Sequence, residues 1–187
     1  MKNKSGLYSY LLCALFAALT AVCSQIMIPL PFTPVPINLA YLAVLVCGGV
    51  LGAKKGALAM VVYILLGAVG VPVFVGFNAG LGVLAGPTGG YIVGYVVMPI
   101  VCGVLGFGRT EQGKGLGAAF NFLKGLVVVF VGYGFGTVWF MILTGVGFGP
   151  AFLMCVAPFI PGDVLKLFAA VAICAALKRA PGVRELA

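Results

Sequence analysis

Histidine is absent from this sequence, and acidic residues are nearly so. The 187 residues include no histidine and only three aspartates or glutamates. Without histidine, neither the usual Ser-His-Asp triad nor the commonest zinc ligand sets can form. The six cysteines show no C-x-x-C spacing and nearly all fall in apolar stretches, which favours free thiols that pack as small apolar side chains. We therefore expect no metal and no resident cofactor.

Charge of either sign is scarce. Charged residues make up 7% of the chain and hydrophobic residues 63%, whereas a soluble domain has roughly 25% charged residues. Several apolar runs reach the ~20 residues that cross a bilayer as a helix, and the ~10-residue alternating segments of a membrane barrel do not occur. The net charge of +8 does not indicate nucleic acid, because the basic residues flank apolar runs. An all-α integral membrane protein is predicted.

The apolar runs define six predicted transmembrane helices within one domain, residues 1–187. We place them at about 7–28, 37–52, 56–71, 91–107, 116–143 and 158–177. The second and fourth connections and both ends of the chain carry the flanking basic residues Lys2, Lys4, Lys54, Lys55, Arg109, Lys114, Lys178, Arg179 and Arg184. The other three connections contain no lysine or arginine. Because positive charge marks the cytoplasmic side, we predict both termini inside and these three connections outside.

The first connection is an apolar, proline-rich segment. Residues 28–36 contain four prolines, which cannot continue a helix and which favour extended backbone at the preceding residue. A plain connector would be more polar. We interpret it as a rigid lid or pocket wall over a cavity, formed by Thr33, Pro34, Val35 and Pro36.

The third connection, residues 72–90, is too glycine-rich for a plain helix and too apolar for a free loop. Irregular backbone at membrane depth is tolerated only against protein or a cavity. Gly89 and Gly90 are further candidates for the pocket wall. Asn78, which has the only amide side chain of this segment, is a candidate ligand contact, and a turn residue is the alternative.

An acid and a base occur together in the last apolar run. Asp163 is the only acidic residue inside an apolar run, and Lys166 follows three positions later, so the two side chains share a helix face. Pro161 and Gly162 suit a helix start, where an acid is favourable. Ionisable groups at membrane depth are costly and are functional candidates by default. The alternative is a self-neutralising structural pair.

Three stretches together resemble the BioY family, the biotin-specific substrate-binding (S) components of energy-coupling-factor (ECF) transporters. They are Ser24–Ile37, Gly80–Tyr91 and Pro161–Lys166, and the similarity extends from about Leu11 to Leu177. The resemblance implies a six-helix S-component bundle in a prokaryotic cell membrane, with a biotin pocket open outward. It also implies partners: a transmembrane coupling protein and two cytoplasmic ATPase subunits.

The resemblance also implies roles for particular residues. The chemistry of the side chains agrees with it and makes Asp163, Lys166, Asn78 and Tyr91 candidates for contacting biotin, with Tyr91 packing on its ring. In the family, a small-residue face of the first helix docks on the coupling protein. Ala14 and Ala18 match that face, and Ala17 with Ala21 form a competing register.

Other functions are also compatible with these residues. The chain could be an S component for another small vitamin, or a stand-alone facilitator. A rival of another class is a membrane-embedded enzyme that uses Asp163 and Lys166 on a lipid. The stretch Gly108–Lys114 fits the start of a P-loop, but Gly115 stands where Ser or Thr should hold magnesium, so we expect no ATPase site in this chain.

Overall fold

The computed structural model describes residues 2–108 and 116–177, with side chains from residue 6 onward. The described elements, in chain order, are α1 (Lys2–Gln25), β1 (Met27–Ile28), β2 (Ile37–Asn38), α2 (Ala40–Ala68), a 3-10 turn (Val75–Phe77), α3 (Leu81–Leu84), α4 (Gly89–Leu105), α5 (Leu116–Thr144), α6 (Phe148–Cys155) and α7 (Ile160–Leu177). The fold is thus almost entirely helical. The flanking basic residues Arg109, Lys114, Lys178, Arg179 and Arg184 lie outside the described residues.

The helices are long and apolar. Within the described chain, four helical stretches have the length and composition to cross a membrane: Gly6–Gln25, Ala40–Ala68, Leu116–Thr144 and Ile160–Leu177. A shorter apolar helix spans Gly89–Leu105. Large apolar side chains such as Leu11, Phe130 and Ile142 remain exposed on the outside of the bundle. An outer surface of this kind is expected for helices whose solvent is lipid.

Helix α2 reverses direction at Gly52. This residue has φ 72° and ψ −169° inside the helical assignment, a conformation that only glycine adopts readily. A Cβ built on Gly56 would lie 3.5 Å from the Cα of Gly48, whereas eight residues of straight helix would separate the two positions by ~12 Å. Residues 40–68 therefore form two helical segments packed side by side, with Lys54 and Lys55 at the bend.

The proline-rich connection is the tip of a short antiparallel hairpin. β1 pairs with β2 through Met27 opposite Asn38 and Ile28 opposite Ile37. The prolines lie between the strands, where no ladder hydrogen bond is needed from their nitrogens. The hairpin closes one end of the bundle between α1 and α2.

Two connections contain structure that sequence patterning does not reveal. The connection between the predicted fifth and sixth transmembrane helices contains α6, which is followed by a turn and then by α7. The glycine-rich segment 72–90 includes the Val75–Phe77 turn and the four-residue helix α3 before α4 begins. Both connections return the chain to the same end of the bundle as the hairpin.

Candidate ligand cavity

A cavity of about 460 Å³ lies at the end of the bundle where the hairpin and the two structured connections meet. This volume falls in the usual range for small-molecule sites, which are mainly apolar with a few placed polar groups. The side chains lining it come from α1, the hairpin, α2, the 73–88 segment, α4, α5 and α7. Because nearly every element contributes lining residues, the shape of the cavity depends on the packing of the whole fold.

The hairpin tip forms one wall of the cavity. Thr33, Pro34, Val35 and Pro36 all line it. Val35 is 5% exposed, and its backbone N–H donates to the Thr33 hydroxyl at 3.3 Å. The tip is thus packed onto the protein, and its prolines limit the conformations it can adopt.

The 73–88 segment forms a second wall. Asn78 lines the cavity, and its side-chain Nδ2 donates to the Val75 carbonyl at 2.7 Å. Gly86 is also in this wall, and its carbonyl accepts a hydrogen bond from the Trp139 indole at 3.0 Å. Trp139 therefore connects the segment to α5.

The expectation for Gly89 and Gly90 is not met. Both are buried in the first turn of α4 and neither lines the cavity. A Cβ on Gly89 would collide with the carbonyl of Leu84, and one on Gly90 with the side chain of Trp139. These glycines permit close backbone packing, and the wall is formed by the preceding residues 86–88.

Aromatic side chains cover the inner part of the cavity. Tyr41 packs edge-on against Tyr95, with ring centroids 5.8 Å apart, and stacks on Tyr133 at 6.1 Å. The Tyr91 hydroxyl donates to the Cys155 carbonyl at 2.6 Å. Because the hydroxyl of Tyr91 is bonded to α6, mainly the ring of this side chain is available to contact a ligand. Rings held in this way suit the faces of a flat heterocycle.

A charged network occupies the wall formed by α7. Lys166 Nζ donates to Asp163 Oδ1 at 2.6 Å, and the Tyr133 hydroxyl donates to Asp163 Oδ2 at 2.6 Å. Asp163 is 4% exposed and Lys166 8% exposed. The three-residue spacing places both side chains on one helix face, as predicted, and there they form an ion pair. Both residues line the cavity, so the network is buried in the protein yet accessible to a ligand.

Several polar residues of the cavity carry no signal in the sequence, among them Tyr133 and Asn38. Tyr133 lies in the middle of α5, in an apolar helix whose pattern does not distinguish it from its neighbours. Asn38 follows the proline segment and also lines the cavity, where its Oδ1 accepts from the Ala40 N–H at 3.0 Å. Gly132 and Gly136 are the sequence features that mark this face of α5 as closely packed. Their lack of a side chain allows Tyr41 and Tyr91 to pack directly against the helix.

The small-residue positions of α1 fall on two faces. Ala14 and Ala18 are exposed on the outside of the bundle, whereas Ala17 is 2% exposed and Ala21 packs against the core. Ala17 and Ala21 are therefore used in internal packing. The Ala14–Ala18 face remains on the outer surface of the described chain.

Cationic side chains also lie at the end of the bundle opposite the cavity. Lys55, beside the α2 bend, donates to the Ser9 hydroxyl at 2.9 Å near the beginning of α1. The cavity is lined from the other end of α1, at Ser24. Among the described residues, no group of three or more His, Cys, Asp or Glu is placed to hold a metal ion.

Comparison with known proteins gives a consistent set of relatives. The family model described as the BioY family matches residues 1–182. A probable biotin transporter BioY of Pyrococcus horikoshii is 38% identical over 167 residues, covering 89% of this chain and 94% of that protein. A biotin transporter BioY of Rhizobium etli is 39% identical over 159 residues, covering 83% and 84%.

One solved structure shares the fold. It is the S-component for biotin from an ECF-type ABC transporter, determined at 2.1 Å. The TM-score is 0.89 at 24% identity, and the alignment covers 100% of this chain and 98% of that one. The bundle described above is therefore an S-component fold.

Proposed function

This chain belongs to the BioY family, and on that basis we propose that it captures biotin from outside a prokaryotic cell and delivers it through an ECF-type uptake complex. The chain is a transport component and not an enzyme. The observation that carries the proposal is the buried Asp163–Lys166–Tyr133 network, which lines a cavity of about 460 Å³ in a chain of this family. A cavity of that size accommodates a molecule as small as biotin.

The chemistry of biotin matches the groups that line the cavity. Biotin has a ureido ring with two N–H donors and a carbonyl, a thioether ring, and an aliphatic tail that ends in a carboxylate. We propose that Asp163 accepts from a ureido N–H and that Lys166 binds the carboxylate or the ureido oxygen. Asn78 can donate and accept, and the ring of Tyr91 packs on the bicycle. Tyr133 holds the second oxygen of Asp163 and so fixes the orientation of the carboxylate.

The proposed arrangement in the membrane has six crossings. These are α1, the two segments of α2, α4, α5 and α7. The basic residues Lys54 and Lys55 lie at the end opposite the cavity, and the positive-inside rule assigns that end to the cytoplasm. Both chain termini then lie inside, and the cavity lies near the outer surface of the cell membrane.

Surface labelling tests this orientation. A cysteine placed at the exposed residue Phe32 or Gly147 should react with a membrane-impermeant maleimide on intact cells. A cysteine at Lys54 should react only after permeabilisation. The parent protein is the control for background, because five of its six cysteines are buried and the sixth is half-buried. The reverse labelling pattern would contradict both the orientation and an outward-facing site.

The proposed partners are a transmembrane coupling protein and a pair of cytoplasmic ATPase subunits. We propose that the coupling protein docks on the outer face of α1 at Ala14 and Ala18. Small side chains let helices approach closely in lipid, where packing contributes much of the association energy. The ATPase subunits supply the ATP hydrolysis that drives uptake.

Ligand titration of the purified protein tests the function. We expect saturable binding of biotin at one molecule per chain without chemical turnover, and a rise in melting temperature that follows the ligand concentration. Thiamine, riboflavin and a biotin analogue lacking the carboxylate serve as comparisons. Tighter binding of another vitamin would indicate an S component of different specificity, and turnover of a lipid would indicate an enzyme.

A further inference from the structure

The last residue of α1 holds the backbone of the cavity wall. Gln25 Nε2 donates to the Phe74 carbonyl at 3.0 Å and lies 3.2 Å from the Val73 carbonyl, and its Oε1 accepts from the Phe77 N–H at 2.8 Å. One amide side chain thus contacts three backbone groups of the segment that carries Asn78. These contacts join residues about 50 positions apart in the chain.

The held segment contains a disfavoured turn. Phe77 has φ 58°, the only positive φ among the non-glycine residues that the structure describes, and it follows Gly76 at φ 70°. The left-handed region is unfavourable for a residue with a Cβ. The Phe77 side chain is 71% exposed, so packing of its ring is not what maintains this conformation. The Phe77 N–H instead bonds to Gln25.

The disfavoured turn places Asn78 at the cavity. Phe74 and Asn78 form an isolated antiparallel bridge, with the Phe74 N–H donating to the Asn78 carbonyl at 3.1 Å. The bridge closes a tight loop, and Asn78 lines the cavity together with Phe74, Val75 and Gly76 of this loop. If Phe77 relaxed to negative φ, the chain direction at Asn78 would change and its side chain would leave the wall.

We propose that Gln25 is a positioning residue for ligand binding: its amide holds the Gly76–Phe77 turn in the left-handed conformation that presents Asn78 to the ligand. This inference rests on the proposed function for the identity of the ligand. It makes the cavity end of α1 part of the binding apparatus, although Gln25 itself does not line the cavity. Ser24 also attaches the end of α1 to this segment, because its hydroxyl donates to the Val73 carbonyl at 2.6 Å.

Biotin titration of Gln25→Leu is the first test. We expect the Kd to rise about tenfold, the effect of losing one or two net hydrogen bonds at the site. In an Asn78→Ala background, Gln25→Leu should change the Kd by less than about twofold, because contributions that act through one group are not additive. Fully additive losses would show that Gln25 does not act through Asn78.

Phe77 provides a matched pair of variants. Phe77→Gly removes the penalty for positive φ and should restore much of the affinity lost in Gln25→Leu. Phe77→Ala removes the same ring but keeps a Cβ, so it should not restore affinity. Equal effects of the two substitutions would contradict the role assigned to the turn.

Hydrogen exchange gives a readout that needs no ligand. Amides of residues 73–78 should exchange about tenfold faster or more in Gln25→Leu, while those of α2 remain unchanged. Unchanged exchange and unchanged Kd would overturn this inference and leave the proposed function standing. Failure of the wild-type protein to bind biotin would instead overturn the proposed function, and the exchange data would still decide whether Gln25 holds the turn.

Discussion

Lys166→Met and Asp163→Asn should each lose biotin affinity, and the double variant should be stable yet still fail to bind. If both groups contact the ligand, each substitution removes a charged hydrogen bond that contributes about 1.5–3 kcal/mol. This corresponds to a rise in Kd of roughly ten- to a hundredfold. Tyr133→Phe should have a smaller effect, because it removes a bond to the carboxylate and leaves both charges in place.

A purely structural pair would behave differently. Removing one partner of a buried ion pair costs ~3–5 kcal/mol, because the other charge is left unpaired. Removing both would then restore much of the stability, and binding would be retained. Melting temperature without ligand and biotin titration should therefore be measured together on the two single variants and the double.

A second lysine in the bundle supplies the control. Lys124 also lies within an apolar helix, α5, but it approaches the Gly106 carbonyl at 3.5 Å and does not line the cavity. Lys124→Met should leave the Kd for biotin unchanged. A double Asp163/Lys166 variant that binds biotin like the wild type would falsify the site assignment.

Ala14→Leu combined with Ala18→Leu should abolish uptake in cells that contain the partner subunits, while biotin binding by the purified protein is unchanged. Both positions are exposed on the outer face of α1, remote from the cavity. Two isobutyl groups would hold a docked helix away from α1 and remove the close packing on which association in lipid depends. Uptake of labelled biotin and co-purification with the coupling protein are the measurements.

The outer face of α7 provides a matched control, a second pair of exposed alanines with the same spacing. Ala172 and Ala176 are exposed and four residues apart, as are Ala14 and Ala18. Ala172→Leu with Ala176→Leu should retain uptake. If both double variants lose uptake, the α1 face is not a specific docking surface, and if the α1 variant transports normally the coupling protein docks elsewhere.

Local patterns determined those parts of the fold that depend on neighbours in sequence. The apolar runs predicted helices, four prolines predicted the non-helical connection, and the bend at Lys54 and Lys55 separates two packed segments of α2. The spacing of Asp163 and Lys166 predicted a shared helix face, because three residues span nearly one helical turn. Each of these inferences needs only backbone sterics or helix geometry.

The tertiary structure decided which residues meet across the chain. Tyr133 bonds to a carboxylate 30 positions away, Gln25 holds a turn about 50 positions away, and Trp139 closes on Gly86. Such contacts leave no periodic trace in the sequence, because each depends on how separate helices pack. Packing also decided which alanines of α1 are exposed, because Ala17 is buried in the core whereas Ala14 and Ala18 are not. Sequence thus determined the apolar helical class and the shared helix face of Asp163 and Lys166. The cavity exists only where seven separate segments converge, and no single segment encodes that geometry.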